Sequence, residues 1–334
     1  MLVQRLRYLV ALARERHFAR AASACRVTQP TLSEGIKHLE DELGVPIVER
    51  GRRYQGLTQA GERVLAWANR IIADYEWLAQ EIGEMREGLA GRLAFGAIPA
   101  VHPVVPLLTT ALLDSHPGIT VAVLAQTSMQ IQRGLDDYSL DVGLTYLDNE
   151  PLPRARTQPV YRERYLLVTR VDGPLGAREE VTWREAAALP LCLLDRSMQN
   201  RRILDAIFRT AGAEPAAAVE TTSLLTAYAH VRHGRWSTIL PHTFRPLVAT
   251  LPGVHLARLV EPAAEHSLGL VVADREPLPP LARALLAAAR RVDVDAWLAG
   301  AEAGRSLAEP PAGQKSSRPA DRSAQPIRSS GAPV

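Results

Sequence analysis

The sequence predicts an α/β protein in three parts: a small helical head, one long linker helix, and a body of two similar α/β subdomains. Three observations across its 334 residues carry that prediction. Charge is divided by segment, with a net +4 over residues 1–57, −3 over 58–90, 0 over 91–300 and +2 over 301–334. An apolar stripe stepping alternately by four and three follows Thr58 and ends near Leu89. Beyond Leu93, extended apolar runs alternate with helical patterns, the order expected of a parallel sheet covered by helices. A hydrophobic fraction of 47% excludes a disordered chain, no apolar run approaches a membrane span, and the expected compartment is the cytoplasm. The N-terminus interleaves Arg5 and Arg7 with apolar residues and does not read as a secretory signal.

In the head, Leu2, Leu6, Leu9 and Ala13 mark one helical face, and Phe18, Ala21, Ala22 and Cys25 a second, shorter one. A third helix starts after Thr28, a natural N-cap, with Pro30 in its first turn. Leu32, Ile36, Leu39 and Leu43 line its inner side until Gly44 and Pro46 stop it. Two short extended pieces, Ile47 to Glu49 and Tyr54 to Leu57, flank a basic tip of Arg50, Gly51, Arg52 and Arg53.

The linker helix is expected from Thr58 to about Glu87, with Val64, Ala68, Ile71, Tyr75, Leu78, Ile82 and Met85 as a dimerisation seam. A helix packed on its own domain would show the same stripe, but a 57-residue head is too short to cover all of it. The body then runs strand, helix, strand from Leu93 to Thr145. A similar series runs from Arg164 to Leu240, and Leu268 to Val272 and a last helix near Pro280 to Arg291 close the domain. The expected division is a head over 1–57, a linker over 58–90, an effector-binding domain over 91–300 and a disordered tail over 301–334, rich in Pro, Ser, Ala and Gly. Within the effector domain, one lobe takes about 91–160 and 267–300, the other about 161–266.

The segment His17-Phe18-Ala19-Arg20-Ala21-Ala22, with Val27 to Ser33, Leu39, Glu40, Leu43 and Gly44, resembles the LysR-type transcriptional regulators, and Leu57 to Gly61 matches the start of that family's linker helix. The resemblance covers roughly residues 1–295. It implies an N-terminal winged helix-turn-helix, a long dimerising linker helix and two Rossmann-like lobes of periplasmic-binding-protein type. By that resemblance the chain is a regulator of transcription whose promoter occupancy or DNA bending is controlled by a small co-inducer held between the lobes. Its implied partners are double-stranded DNA with an inverted-repeat operator, a small effector such as a carboxylate or other anion, further copies of itself as a dimer or tetramer, and RNA polymerase.

A recognition helix works when its apolar side is anchored and short polar side chains at its N-terminal end reach base edges. Gln29, Thr31 and Ser33 fit that role beside Pro30. Glu34 can read a cytosine amino group or reject wrong sites, and Lys37 and His38 suit backbone or flanking contacts. Arg50, Arg52 and Arg53 at the wing tip can grip phosphates or enter a minor groove.

A cleft between two such lobes collects helix N-termini, whose unpaired amides and dipole suit an anion. Candidate contacts are Pro99, Ala100, Val101 and His102 after the first strand, Thr127 and Ser128 at the second helix, and Met198, Gln199 and Asn200 at a later one. Ser128 and Ser223 are each read equally as a contact or a simple N-cap. Ala100 and Val101 stand where many relatives carry a hydroxyl. The string Met198 to Arg202, with Gly234 to Ser237, resembles a subgroup associated with formate dehydrogenase operons.

Rival readings find little in the sequence. His230 and His233 have metal-chelating spacing but no further ligand nearby, and no GxSxG, GxGxxG or P-loop is present, so neither an enzyme nor a metal or other cofactor is expected. Residues 92–295 alone would suit a solute-binding protein, which the basic head argues against. Cys25 and Cys192 lack a CxxC partner and read as packing.

Overall fold

The computed structural model describes residues 2–49, 54–249 and 252–302. Helices α1 (Leu2–Glu15), α2 (Phe18–Ala24) and α3 (Gln29–Leu43) form the head. The Thr28 hydroxyl accepts from the Thr31 N–H to cap α3, Pro30 fills its first turn, and Gly44 ends it in the left-handed conformation at φ 69°. Leu12, Ala21, Leu32 and Ile36 bury the inner faces of the three helices together. Val48 and Leu57 form an antiparallel bridge, the base of the wing. Glu40 pins that base to α3, its Oε1 accepting from the N–H groups of Ile47 (2.7 Å) and Val48 (3.0 Å). Arg50, Gly51, Arg52 and Arg53, expected at the wing tip, lie outside the described residues, as does the expected disordered tail from 303 onward.

The linker helix α4 (Gln59–Glu87) is capped by Thr58, whose hydroxyl accepts from the Gly61 N–H and donates to the Pro46 carbonyl. A Cβ at Gly61 would stand 2.1 Å from the Ile47 carbonyl oxygen, so only glycine lets the helix start this close to the wing. Two of the expected seam positions are corrected here. Ala68 is fully buried against Leu6, Leu9, Leu39 and Ile47, and Val64 packs on the same cluster. Both belong to the head's own core because α4 lies across α1. From Ile71 onward the stripe emerges, with Tyr75, Leu78, Ile82 and Met85 exposed and Trp67 beside them.

The body comprises β1 (Gly91–Ala97), α5 (Val105–Ser115), β2 (Ile119–Ala125), α6 (Ser128–Asp136), β3 (Val142–Tyr146), β4 (Ala155–Glu163), β5 (Tyr165–Arg170), β6 (Glu180–Thr182), α7 (Trp183–Ala187), β7 (Leu191–Leu194), α8 (Gln199–Thr210), β8 (Ala217–Thr221), α9 (Leu224–His233), β9 (Thr238–Pro241), α10 (Arg245–Val248), β10 (Val254–Val260), β11 (His266–Ala273), α11 (Pro280–Ala289) and α12 (Val294–Glu302). The first lobe is a five-stranded sheet ordered β2-β1-β3-β11-β4, parallel on either side of β1 and antiparallel on either side of β11. The second holds a four-stranded sheet, β6-β10-β5-β9, and the parallel pair β7-β8. The chain crosses between lobes twice, at Arg164 between β4 and β5 and between Val260 and His266. The first crossing falls a few residues later than the 160/161 division because β4 stays paired with β11 through Glu163. Its sequence, with Pro159 inside and polar residues alternating, suits an edge strand, and the register shifts opposite it between Leu268 and Gly269.

Candidate functional site

The outer face of α3 is polar and open. Gln29, Pro30, Thr31, Glu34, Lys37 and His38 are exposed and Ser33 is half-buried, while Leu32, Gly35, Ile36 and Leu39 are buried behind them. Thr28 and Thr31 hydroxyls bond each other at 2.8 Å, which ties Thr31 to the cap, and Glu34 stands 3.9 Å from His38 one turn on. The helix is thus held by its apolar side and keeps its N-terminal polar side exposed, the arrangement a recognition helix requires.

Between the lobes, Ile98, Pro99, Ala100, Thr127, Ser128, Leu194, Met198, Gln199 and Asn200 line one narrow cleft with about 10 Å³ of free space, room for roughly a single water. Of the expected contacts, Pro99, Ala100, Thr127, Ser128, Met198, Gln199 and Asn200 meet there. Val101, His102 and Ser223 are not among the lining residues; Ser223 caps α9 by accepting from the Thr226 N–H. Ile98 and Leu194 form the remaining apolar wall. The Thr127 hydroxyl is engaged in a capping box with Gln130, so the buried Ser128 is the free hydroxyl of that helix end. Met198, the N-cap residue of α8, makes no side-chain cap bond, so no cap side chain occupies that helix's first amides.

One turn of α8 spans the lobes. Gln199 Nε2 donates to the Asn149 carbonyl, Asn200 Nδ2 donates to the Tyr146 hydroxyl at 2.9 Å, and Arg202 Nε donates to Glu150 Oε1 at 2.7 Å. The Arg202 guanidinium holds the Glu150 carboxyl below its ordinary range. Arg201, 2% exposed, anchors the turn from inside, donating to Asp205, Glu220 and the Leu194 carbonyl, each at 2.8 Å.

Behind Asn200, the Tyr146 hydroxyl donates to Glu163 Oε1 at 2.5 Å. Glu163 is fully buried, and burial pushes its carboxyl up to about 8, partly offset by the hydroxyls of Tyr146 and Tyr165. Burial pushes nearby His242 down to about 4, and its Nδ1 accepts from the Arg164 N–H. The signs follow by linkage. Between about pH 4.5 and 8 the folded chain keeps the Glu163 proton that the unfolded chain has lost, so that contribution to stability falls as pH rises through this window. Between about pH 6.5 and 4 the unfolded chain takes up a proton that folded His242 refuses, so stability also falls on acidification. The melting temperature of wild type is expected to decline from pH 6 to 9 relative to Glu163→Gln, a difference that thermal melts at matched ionic strength would read. This buried pair and its neighbours were not visible as a site in the sequence, because Tyr146, Glu163 and Asn200 are brought together only by the fold.

A second, open recess of about 420 Å³ lies between α4 and the first lobe. The Arg275 guanidinium packs there against two neighbouring rings, 4.1 Å from the Trp77 centroid and 4.2 Å from that of Tyr138. Arg283 pairs with Glu84 at 3.0 Å close by.

A DNA-reading helix fixed through a long helix to a two-lobed ligand-binding body defines a one-component regulator of transcription. Residues 3–62 match the model described as bacterial regulatory helix-turn-helix protein, lysR family, and residues 86–293 match LysR substrate binding domain. The chain belongs to the LysR family of DNA-binding transcriptional regulators. It is 32% identical over 279 residues to the DNA-binding transcriptional dual regulator OxyR of Escherichia coli strain K12, covering 83% of this chain and 91% of that protein. It is 31% identical over 279 residues to a hydrogen peroxide-inducible genes activator of Pectobacterium carotovorum, covering 83% and 92%. Among solved structures, a full-length OxyR variant from Pseudomonas aeruginosa superposes with a TM-score of 0.70 at 26% identity, over 87% of this chain and 98% of that one. CbnR complexed with its target DNA shares the fold at a TM-score of 0.64 and 24% identity, over 87% and 99%. These relatives give the formate dehydrogenase association no support. Among the described residues no helix is long and apolar enough to cross a membrane, and no cluster of three metal-ligating side chains occurs.

Proposed function

We propose that the chain regulates promoter occupancy or DNA bending in response to a small ligand, seated where the first turns of α6 and α8 converge between the lobes. The observation that carries this reading is the single turn of α8, whose residues both line the cleft and bond across it. A ligand that replaces or reinforces these bonds changes the lobe angle, because it has differential affinity for the open and closed arrangements. Helix α6 runs from that cleft to Asp136, and two residues on Tyr138 packs on Arg275 and stands 6.0 Å from Trp77 of α4. A shift at the α6 N-terminus therefore reaches the linker helix through rigid parts. Arg275→Ala is expected to keep DNA affinity while cutting the ligand's effect on it about tenfold, within the usual range of coupling energies. Fluorescence anisotropy on an operator with and without ligand measures this, and an unchanged ratio removes the joint from the pathway.

A peroxide response of the kind named for the relatives fits this chain poorly. Its cysteines, Cys25 in the head and Cys192 in β7, lie in separate domains, and none lines the cleft. Burial raises both thiols, which keeps them from the reactive thiolate. A Cys25→Ser, Cys192→Ser double variant that still responds in cells to the inducing condition supports reversible ligand binding; loss of the response on that change supports thiol chemistry.

For the DNA face, Lys37→Ala is expected to weaken binding to all sequences and flatten the salt dependence by about 1 per head, since one phosphate contact is lost. Gln29→Ala is expected to relax sequence preference by roughly 1–3 kcal/mol at one base pair. Binding titrations at several salt concentrations on operator and random duplexes separate the two; equal loss on both duplexes for Gln29→Ala rules out base readout.

A further inference from the structure

The effector cleft is wired to a buried acid. Asn200 forms part of the wall, and its Nδ2 donates inward to the Tyr146 hydroxyl, which in turn donates to Glu163 Oε1. At its two ends, Asn200 Oδ1 and Glu163 Oε2 are buried without a well-formed hydrogen bond, and the Tyr165 hydroxyl, likewise unpartnered, lies beside the acid. No Lys or Arg side chain pairs with Glu163 among the described residues. The groups around it are Tyr161 on its own strand, Tyr165 on β5, Asp148 after β3, and His266 on β11, whose ring meets those of Tyr146 and Tyr165 edge-on and whose Nδ1 bonds Asp148. Farther out, His242 faces Tyr161 and is itself surrounded by Arg164, Arg245 and Asp295.

Resting on the cleft reading above, we propose that the protonation state of Glu163 sets, through Tyr146, which end of the Asn200 amide faces the effector. A neutral Glu163 selects ligands with an acceptor such as a carboxylate, and an ionised one selects ligands with a hydroxyl or ammonium donor. When Glu163 is ionised, every proton in the chain points inward, from Asn200 to Tyr146 to Glu163, and the carboxamide oxygen is what the cleft sees. When one proton from solvent is added to Glu163 Oε1, that O–H donates to the Tyr146 oxygen, the Tyr146 O–H donates to Asn200 Oδ1, and the amide turns half a revolution to present its NH2 group. No other bond is made or broken. The arrangement is restricted because Tyr146 has one hydrogen to give: it cannot donate to Glu163 and Asn200 together. Gln199 does not follow, since its Nε2 is fixed by the Asn149 carbonyl, an obligate acceptor. With its carboxyl pushed up to about 8, Glu163 changes charge in a range where cells live.

The test needs no effector. The asparagines of the chain are Asn69, Asn149 and Asn200, so full-length protein labelled with 15N-asparagine gives few side-chain amide signals, and the Asn200 pair is assigned by its loss in Asn200→Asp. The Asn200 pair is expected to shift with a midpoint near pH 8, while the same titration is absent in Glu163→Gln and in Tyr146→Phe. A pair that stays flat from pH 6 to 9.5 in wild type, or that titrates equally in Tyr146→Phe, overturns the relay. With acetate as a probe ligand, calorimetry is expected to show affinity falling about tenfold per unit above pH 8 in wild type and no such slope in Glu163→Gln. A failure of acetate to bind counts against carboxylates in the cleft, whereas the amide titration decides the relay by itself.

Discussion

A chain carrying Ile71→Glu, Leu78→Glu and Ile82→Glu is expected to sediment as a monomer and to lose at least about 100-fold in affinity for an operator with two half-sites. The three side chains are 36%, 59% and 50% exposed on one stripe of α4 that the protein's own head does not reach. Burying that stripe against a second copy recovers about 25 cal/mol per Å² of apolar surface, and three carboxylates in its place would have to be desolvated without partners. The loss in DNA affinity then follows from geometry. Two heads held at fixed spacing bind two half-sites as one event, and the second head enjoys an effective concentration that separate monomers lack. Val64 and Ala68 are left alone because they belong to the head core, so the fold of the DNA-binding part stays intact and its helical spectrum serves as control. Analytical ultracentrifugation with a footprint on the same sample reads both effects, and a triple variant that remains dimeric moves the association surface off α4.

The distinction between covered and exposed positions within one apolar stripe shows where sequence pattern stops being informative. Steps of four and three place Ala68 and Ile71 on the same side of a helix, and only the presence of α1 over the first three turns decides which of them is covered. Local devices were legible because they are local: Thr28 caps the helix that follows it three residues on, and the helix after Thr58 starts where its pattern does, whereas at the second helix the cap is Thr127 rather than Ser128. The converging helix ends of the cleft were legible for the same reason. Ser223 was ambiguous because a serine before a helix serves a cap or a ligand equally well, and its bond to Thr226 engages it as the cap. What stayed hidden is non-local and polar. Glu163 sits in the stretch Pro159 to Tyr165, whose charges and proline resemble an exposed loop, yet it is buried and bonded by Tyr146, 17 residues away on β3. An acid without a cation in such a place has no signature in spacing. Ile98 and Leu194 were missed because an apolar residue at a strand end looks like core until the cleft is seen.

Arg201→Ala is expected to cost about 3 kcal/mol of stability and to abolish the effector response while the isolated head still reads DNA. Its guanidinium is one of the largest fully buried side chains, and it satisfies three acceptors at once: Asp205 one turn along α8, Glu220 on β8 and the Leu194 carbonyl ending β7. Truncation strands a carbonyl and takes the counter-charge from two carboxylates. Since Asp205 and Glu220 keep side-chain exposures of 25% and 43%, water can relieve part of that loss, which places the expected cost at the lower end of the range for broken buried pairs. The functional consequence is larger than the energetic one. Arg201 lies between Asn200 and Arg202 in the turn that lines the cleft and bridges the lobes, so releasing it frees the side chains that bond across them. Arg201→Lys separates charge from geometry: a single ammonium can stay near the carboxylates but lacks the fork that reaches both sides of α8, so it is expected to recover part of the urea midpoint and little of the response. If Arg201→Lys restored the full ligand effect on DNA binding, charge alone would hold the turn, and the three-way fork would be incidental to how the lobes close.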